Sequence, residues 1–264
     1  MLVGRNQEKL VALMRELDNH HQYLIADTAT EQGRALIIEA VKQNSQINLV
    51  VQAAGSAGFG EYCQQSSTTI EQTLTNNLTS PMLITHGVLP LLQGRSEATL
   101  VNVGSAFGAI GYPCFASYCA SKFGLRGFTE ALQRETDSKA IAIHYFAPRA
   151  TQTPFNSDVV NAMNLALGNK VDPPEVVAEA FIKTLKKNKS RWVVGWPEKL
   201  FCRLNGLLPE LVDRALAPKR QTILGFGQQD LSQSSQPTAP PPTPSLTGGS
   251  SQHCQQHTLE GLSS

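Results

Sequence analysis

The sequence predicts a doubly wound α/β domain, in which helices cover both faces of a parallel β-sheet. Short apolar runs alternate along the chain with longer amphipathic stretches, an order typical of strand–helix–strand units. The apolar runs are almost continuous, as expected for strands that are buried on both faces. Several runs end in small or hydroxyl-bearing residues, and ligands bind beyond the carboxyl ends of strands in such sheets.

The predicted elements follow one another in a regular order. A first strand ends at about Arg5, and further strands are predicted at 23–27, 47–55, 98–105, 140–148 and 191–196. Helices are predicted at 6–17, 31–43, 69–92, 114–136 and 174–187. In the fourth helix, Leu125, Phe128 and Leu132 recur at the spacing of one helix face, which predicts that this face packs on the core.

The chain divides by composition into a domain at 1–218 and a linker with a tail at 219–264. From Gln228 onward, proline, serine, glutamine and glycine dominate the sequence. This composition predicts a disordered tail, because too few apolar side chains remain to offset the entropy lost on ordering.

Composition also excludes several classes of protein. The formal net charge is +1, so nothing favours a nucleic-acid partner. No apolar run reaches the roughly 18 residues of a membrane-spanning helix, and the charged start does not resemble a signal peptide, so we expect a cytoplasmic protein. The five cysteines form no CxxC pair, so we expect reduced thiols and no metal site.

Four polar residues form a pattern suited to acid–base chemistry. Ser105 ends a predicted strand, Tyr118 follows thirteen residues later, and Lys122 comes one helical turn after Tyr118. Asn77 lies within a predicted helix, where asparagine is a mediocre helix former. Each residue alone has an ordinary role, such as a helix cap for the serine. Together, at these spacings, they favour a catalytic site.

The segments around these residues resemble the short-chain dehydrogenase/reductase family. The resemblance covers about residues 2–216, with the motifs in family order and at family spacing. It rests on the segments "QAAG" (52–55), "NNLTSPMLITHGVLPLL" (76–92), "VNVGSAFGAIGYP" (101–113), "SYCASKFGLRGFTEAL" (117–132) and "APRATQT" (147–153). It implies a Rossmann-like fold and hydride transfer between a nicotinamide cofactor and a carbonyl or alcohol substrate.

The chemistry of the groups agrees with that implication. Tyr118 can give a proton to the developing alkoxide, and the ammonium of Lys122 is expected to lower the phenol pKa. Ser105 can polarise the substrate carbonyl by a hydrogen bond. The resemblance further implies that Lys122 binds the nicotinamide ribose, as does Tyr118, and that Asn77 holds a water linked to Lys122.

The cofactor is expected to be NADP rather than NAD. An acidic residue after the corresponding strand would hold the adenosine ribose, whereas Arg5 suits a 2′-phosphate. The alternative is that Arg5 is simply a solvated surface arginine. By resemblance, Asp27 lies near the adenine, Ala54 and Gly55 give backbone contacts, and Thr151 lies on the nicotinamide side.

The sequence departs from the family pattern in three places. Gln52-Ala53 replaces a double asparagine, so we expect the loss of one side-chain contact that braces the sheet. Pro148-Arg149 replaces proline-glycine, which predicts a differently shaped loop. The third departure is that no first strand with a glycine-rich phosphate turn precedes the matching segments, so we expect this chain to bind cofactor poorly.

Two hypotheses account for that third departure. Either Met1 is internal to a longer reading frame or a degraded gene, or the chain is an inactive relic with a partner-binding role. The retained Asn77, Ser105, Tyr118 and Lys122 favour an oxidoreductase. Translation of the DNA upstream of Met1 would distinguish the two hypotheses.

Three further expectations concern partners. The apolar segment 154–172 suggests an apolar carbonyl substrate, although helix packing accounts for it equally well. A homo-oligomer paired through the helices at 69–92 and 114–136 is implied by the resemblance. The segment 195–216 carries apolar and basic residues at helical spacing; capping of the sheet or a substrate pocket is favoured, and peripheral membrane contact is the alternative.

Overall fold

The computed structural model describes residues 1–18, 20–187, 190–196 and 198–234. The strands in these ranges are β1 (Leu2–Gly4), β2 (Tyr23–Ile25), β3 (Leu49–Gln52), β4 (Thr99–Val103), β5 (Ala142–Ala147) and β6 (Arg191–Val193). The helices are α1 (Gln7–Glu16), α2 (Glu31–Gln43), α3 (Ser67–Leu74), α4 (Ser80–Leu92), α5 (Ala116–Glu135), α6 (Asp158–Ala166), α7 (Pro174–Lys186), α8 (Glu198–Leu207), α9 (Pro209–Leu216) and α10 (Arg220–Ser234). Strands and helices alternate through β6, as the sequence predicted.

The strands form two parallel sheets. β1 pairs with β2, and the other four strands pair in the order β3-β4-β5-β6. Within the described residues, β1 and β3 each pair with a single strand, so one edge of each carries backbone groups without a sheet partner. Leu24 of β2 and Val50 of β3 pack against the same hydrophobic core, which therefore spans both sheets.

Alternate side chains of the four-stranded sheet contact two different helix layers. Leu100 of β4 belongs to the same core as Val88 of α4, whereas Val101 packs with Phe146 of β5 and Phe181 of α7. Successive side chains of a strand point to opposite faces, so helices cover both faces of this sheet. The doubly wound α/β prediction is confirmed.

The predicted helix at 69–92 contains an irregularity. α3 continues into a π-helical turn at Thr75–Thr79 and then into α4. The N–H of Ser80 bonds to the carbonyl oxygen of Thr75, five residues back instead of four. Hydrophobic spacing does not reveal such a turn, but π-helical turns are frequent at functional sites.

The prediction that 219–264 forms a linker and a disordered tail is wrong for residues 220–234. These residues form α10, and Ile223 is fully buried in a second core with Phe115, Tyr118 and Met163. Polar composition concealed the helix because one deeply buried side chain, with two partly buried neighbours, suffices to dock it. Residues 235–264 lie outside the described residues.

The described ranges lack membrane-spanning and metal-binding features. There, no helix combines the length and the apolar character needed to cross a membrane. Nor do three or more His, Cys, Asp or Glu side chains group there as a metal site. Cys63, Cys114, Cys119 and Cys202 are free thiols, and Cys254 lies outside the described residues.

Candidate active site

Tyr118 and Lys122 lie on successive turns at the amino end of α5, which begins at Ala116. Both residues are almost fully buried. Lys122 Nζ lies 5.8 Å from the centroid of the Tyr118 ring and donates a hydrogen bond to the Val103 carbonyl oxygen at 3.1 Å. The four-residue spacing thus brings both groups to the carboxyl end of β4.

Ser105 follows β4 and begins a 3-10 turn at Ala106–Gly108. Its Oγ accepts a hydrogen bond from the N–H of Phe107 at 3.1 Å, and its side chain lies near enough to the Tyr118 hydroxyl to influence the pKa of that group. Ser105 therefore has the capping role that its position allowed and lies close to the phenol as well. Two hydroxyl groups consequently lie side by side at the end of the sheet where ligands bind.

Burial dominates the acid–base properties of these groups. It raises the pKa of Tyr118 to about 12, although the hydrogen bond with Ser105 partly offsets this. Burial also lowers the pKa of Lys122 to about 8. The net pKa of Tyr118 is therefore raised, whereas the sequence led us to expect a lowered one. Loss of hydration is the largest cause, and the hydrogen bond of Lys122 goes to Val103.

Asn77 lies in the π-helical turn, and its side chain is fully buried. Its Oδ1 accepts from the Ser56 N–H at 2.8 Å, while its Nδ2 donates to the Ser56 carbonyl at 2.9 Å and to Ser121 Oγ at 3.0 Å. A Cβ on Gly55 would lie only 2.7 Å from Asn77 Oδ1, so this position suits glycine. Asn77 thus ties the loop after β3 to α5, next to Lys122.

A second polar brace lies inside the sheet. Gln52 of β3 places its Nε2 within hydrogen-bond distance of Asn102 Oδ1 at 2.9 Å, of Thr85 Oγ1 at 2.8 Å and of the Pro81 carbonyl oxygen at 3.1 Å. Asn102 donates in turn to Thr129 Oγ1 on α5 at 2.9 Å. Gln52 therefore braces the sheet, because glutamine is long enough to reach β4 and α4 together, whereas Ala53 has no polar side chain to do so.

Arg5 and Asp27 follow β1 and β2 in the two-stranded sheet. Arg5 Nη1 lies 3.7 Å from Asp27 Oδ2, and the two side chains are 71% and 36% exposed. Asp27 Oδ1 also accepts from the Ala29 N–H at 2.9 Å. Both charged groups reach solvent, and neither lines the cavity around Tyr118.

That cavity measures about 650 Å³ and lies beyond the carboxyl ends of β3, β4 and β5. Gly55, Ser105, Tyr118, Lys122 and Thr151 all line it, so the structure brings these predicted site residues together. Asn77 braces it from behind, and Ala54 is exposed outside its lining. Apolar side chains form most of the remaining wall, among them Phe107, Ile110, Tyr112, Phe115, Phe155, Val160, Met163, Phe201, Val212 and Leu216.

Arg149 forms a buried ion cluster that the sequence did not reveal. Its guanidinium bonds both carboxylate oxygens of Asp172, at 2.6 and 2.7 Å, and Glu198 at 3.3 Å. The hydrogen bonds to Asp172 are the main reason that the pKa of Arg149 is raised. A parallel bridge joins Thr151 to Asp172, so the loop after β5 is held to the segment before α7. The partners of Arg149 are 23 and 49 residues away, which no local pattern predicts.

Tyr145 of β5 is a second residue that sequence analysis missed. Its hydroxyl contacts the main chain of Ser105, accepting from the N–H at 3.4 Å and donating to the carbonyl at 3.3 Å. A Cβ on either Gly104 or Gly108 would collide with the Tyr145 side chain. The two glycines in "VGSAFG" were therefore the available signal that a bulky group packs against this turn.

Comparisons with known proteins agree on one family. A family profile described as short chain dehydrogenase matches residues 1–164. The chain is 30% identical over 183 residues to the 3-oxoacyl-[acyl-carrier-protein] reductase of Bos taurus, covering 68% of this chain and 77% of that protein. It is 27% identical over 223 residues to the uncharacterized oxidoreductase YxnA of Bacillus subtilis (strain 168), covering 81% of this chain and 63% of that protein. The chain thus spans less than two thirds of the length of YxnA.

A solved structure shows the same fold. The short-chain dehydrogenase from Sphingobium yanoikuyae, in complex with NADPH, superposes with a TM-score of 0.68 at 21% identity. The match covers 80% of this chain and 84% of that protein. At 21% identity, the comparison shows that the two proteins share a fold.

Proposed function

The chain belongs to the short-chain dehydrogenase/reductase family of NAD(P)-dependent oxidoreductases, and from this premise we propose that it transfers hydride between NADP(H) and a carbonyl or alcohol substrate. Tyr118 is the general acid–base group of the proposed reaction. The observation that carries the proposal is that Ser105, Tyr118 and Lys122 line one cavity, with Lys122 one helical turn from Tyr118.

In the direction of reduction, the polar groups act on the substrate oxygen. Ser105 donates a hydrogen bond to the carbonyl oxygen and polarises it, and Tyr118 transfers its proton to that oxygen as negative charge develops. The bound cofactor supplies the hydride. A phenol pKa of about 12 keeps Tyr118 protonated at neutral pH, so it begins as the acid. Lys122, when protonated, stabilises the phenolate that remains.

The pKa of Lys122 sets the expected pH dependence. Because this pKa is about 8, the ammonium is charged at neutral pH and loses its proton as the pH rises through 8. The stabilisation of the Tyr118 phenolate is lost with that proton. Reduction is therefore expected to slow above pH 8.

The cavity fits the nicotinamide end of the cofactor. Gly55 after β3 is exposed and has no side chain, so the backbone is accessible where the cavity reaches the sheet. Tyr118 and Lys122 would hold the adjacent ribose hydroxyl groups, and Thr151 would contact the nicotinamide. Asn77 would fix the loop that carries Gly55 and bind the water proposed from the family resemblance.

The adenosine end rests on the two-stranded sheet. Arg5 is exposed and suits the 2′-phosphate of NADP, while Asp27 would lie near the adenine and Ala54 would offer a backbone contact. The NADPH named with the Sphingobium structure supports this choice of cofactor.

The cavity wall favours an apolar substrate. The rings of Phe107, Phe115 and Phe155 each lie within 6.3 Å of the Tyr118 ring, centroid to centroid, and surround the reacting position with apolar surface. The predicted substrate segment contributes Val160 and Met163 from α6. A bulky apolar carbonyl or alcohol compound is the proposed substrate class.

One observation favours the second candidate, an inactive partner-binding protein. β1 and β3 each have an edge without a sheet partner in the described residues, and Val3 on β1 and Leu49 and Val51 on β3 are each at least 38% exposed. Such edges can pair with a strand from another chain. If this chain binds no NADPH at millimolar concentration and its reading frame contains no further upstream strand, the second candidate is the better one.

The decisive variant is Tyr118→Phe, which removes the proton donor and keeps the ring. Turnover of an apolar ketone should fall by roughly 100-fold or more, while NADPH binding, followed by its fluorescence, should weaken by less than about 10-fold because Lys122 still holds the ribose. The measurement is made on this chain and on any longer product of its reading frame.

Tyr112→Phe is the matched control. Tyr112 lines the same cavity and stacks on Phe107, but its hydroxyl is bonded to Asn169 instead of Ser105. Its loss should change turnover by less than about 10-fold. Equal activity of Tyr118→Phe and the parent protein would disprove the acid–base role.

A further inference from the structure

Two helices at the rim of the cavity expose an unusual number of apolar side chains. We call α8, α9 and the preceding Trp196 the rim helices. Five of their large apolar residues face solvent, with exposed fractions of 70% for Trp196, 40% for Leu200, 78% for Leu207, 50% for Leu208 and 46% for Leu211. A cluster of exposed apolar side chains of this kind marks a site of contact with another surface.

The opposite face of the rim helices belongs to the cavity. Phe201 of α8 and Val212 and Leu216 of α9 line it. Asn205 donates to the Ala109 carbonyl at 2.9 Å, which fixes α8 against the turn after β4. The capping role expected for segment 195–216 therefore accounts for the inward face alone. The outward apolar residues form a second surface, next to the mouth of the cavity.

Basic side chains accompany the outward apolar residues. Leu200, Arg203 and Leu207 recur at i, i+3 and i+7 on α8, and all three are exposed. In the part of the chain that the structure describes, neither Arg203 of α8 nor Arg214 of α9 pairs with an acid. The acid Glu198 points instead to the buried Arg149.

The exposed charge of the region is positive. Outside the Arg149 cluster, the exposed basic residues of the rim helices are Lys199, Arg203 and Arg214, and the exposed Arg220 follows α9, against the acids Glu210 and Asp213. Surfaces that combine apolar and basic side chains with a tryptophan are typical of helices that lie in the interface of anionic lipid.

We propose that the rim helices dock on an anionic lipid surface, and that apolar carbonyl substrates enter the cavity from that surface. The docking follows from the rim helices themselves, whereas the entry of substrate rests on the proposed function. Leu207 and Leu211 would insert among the lipid chains, and Arg203 and Arg214 would contact the headgroup phosphates. The inward residues Phe201, Val212 and Leu216 then continue the apolar surface into the cavity.

A second copy of this chain is a less suitable occupant. A two-fold symmetric pair would bring the same surface of each copy together, and its basic side chains would face one another. Like charges across an interface disfavour association, whereas anionic lipid supplies the opposite charge.

The test is flotation of the full 264-residue chain with vesicles, without cofactor or substrate. Vesicles with about one third phosphatidylglycerol in phosphatidylcholine should carry the protein upward at low salt, and pure phosphatidylcholine should carry much less. The double variant Leu207→Ser/Leu211→Ser should bind at least about 10-fold more weakly, because two inserting apolar side chains are lost. Arg203→Glu/Arg214→Glu should lose the preference for anionic vesicles.

The matched control is Leu36→Ser/Ile182→Ser. These two side chains are each 50% exposed, but they lie on α2 and α7, away from the rim helices. The control should float like the parent protein, and circular dichroism verifies that all variants are folded. Equal loss of flotation in the control, or a parent protein that stays at the bottom with anionic vesicles, would overturn the proposal.

Two further measurements distinguish lipid docking from self-association and from catalysis. If size-exclusion chromatography without vesicles shows a dimer that Leu207→Ser/Leu211→Ser dissociates, the occupant is a second copy and the lipid proposal fails. Tyr118→Phe should float like the parent protein, because it changes no residue of the rim helices. Loss of catalysis and loss of docking are therefore distinguishable.

Discussion

The four-stranded sheet and the two-stranded sheet would carry the catalytic end and the adenosine end of the proposed site, and they differ sharply in packing. β4 and β5 are buried along most of their length, whereas β1 and β2 alternate between exposed and half-buried residues. At the catalytic end, Asn77 and Lys122 are buried and hydrogen-bonded. At the adenosine end, Arg5 and Asp27 form an exposed ion pair at 3.7 Å.

Because of this difference in burial, the two ends would hold a ligand in different ways. Buried hydrogen-bonded groups are fixed before a ligand arrives, so they can orient a reaction precisely but tolerate few substitutions. An exposed ion pair contributes little to stability and leaves its charges available to a ligand. The catalytic end is therefore expected to respond to mutation through both stability and turnover, and the adenosine end mainly through cofactor choice.

The largest expected effect comes from Lys122→Met at the catalytic end. Loss of the ammonium should lower turnover by about 100-fold or more, since the phenolate of Tyr118 loses its stabilising charge. The same change removes a buried cation whose pKa is lowered from 10.5 to about 8. The parent protein should therefore gain stability between pH 8 and pH 10.5, by up to about 1.4 kcal/mol per pH unit, because its folded state binds fewer protons than its unfolded state there.

Denaturant unfolding across that pH range measures the effect. The free energy of unfolding of Lys122→Met should rise less steeply with pH than that of the parent protein. At pH 7, the variant should be destabilised by no more than the loss of one hydrogen bond to Val103. The same slope in both proteins would mean that Lys122 is not a buried cation, and the contrast between the two ends would weaken.

Ile223→Ala tests how far the catalytic end depends on α10. Ile223 is fully buried beside Phe115 and Tyr118, so its truncation should cost about 2–4 kcal/mol of folding stability and lower the melting temperature by several degrees. Ile182→Ala on α7 is the control, because Ile182 is 50% exposed. Deletion of 235–264 should leave the melting temperature almost unchanged, as the composition of those residues predicts. If Ile223→Ala had the melting temperature of the parent protein, packing of α10 would not contribute to the stability of the catalytic end.

The smallest effect is expected at the adenosine end, from Arg5→Asp. The ratio of kcat/KM for NADP to that for NAD should fall about 10-fold or more, since a charge-assisted contact with the 2′-phosphate becomes a repulsion. The melting temperature should hardly change, because the Arg5 side chain is 71% exposed. Arg15→Asp, on the exposed side of α1, is the control and should leave the ratio unchanged. An unchanged ratio in Arg5→Asp would remove Arg5 from the cofactor site.

Local patterns were sufficient for several features of the molecule. The alternation of apolar runs and amphipathic stretches predicted the six strands, although each strand is shorter than its apolar run. The helix spacing that joins Tyr118 and Lys122 needs only the geometry of one helix turn. Where a prediction failed, a contact distant in sequence was responsible. The residues of α10 were expected to be linker and disordered tail, but Ile223 anchors them in a core formed far upstream.

The amino-acid sequence by itself determined the α/β class, the family and the order of the polar residues along the chain. These features depend on periodicity and spacing, which are properties of neighbouring residues. The tertiary structure decided the pKa of Tyr118, the partners of Arg149 and the position of Tyr145 against Ser105. It also decided that one face of the rim helices lines the cavity and the other faces outward. Burial and long-range packing set these properties, because hydration and electrostatic interaction depend on what surrounds a group in space.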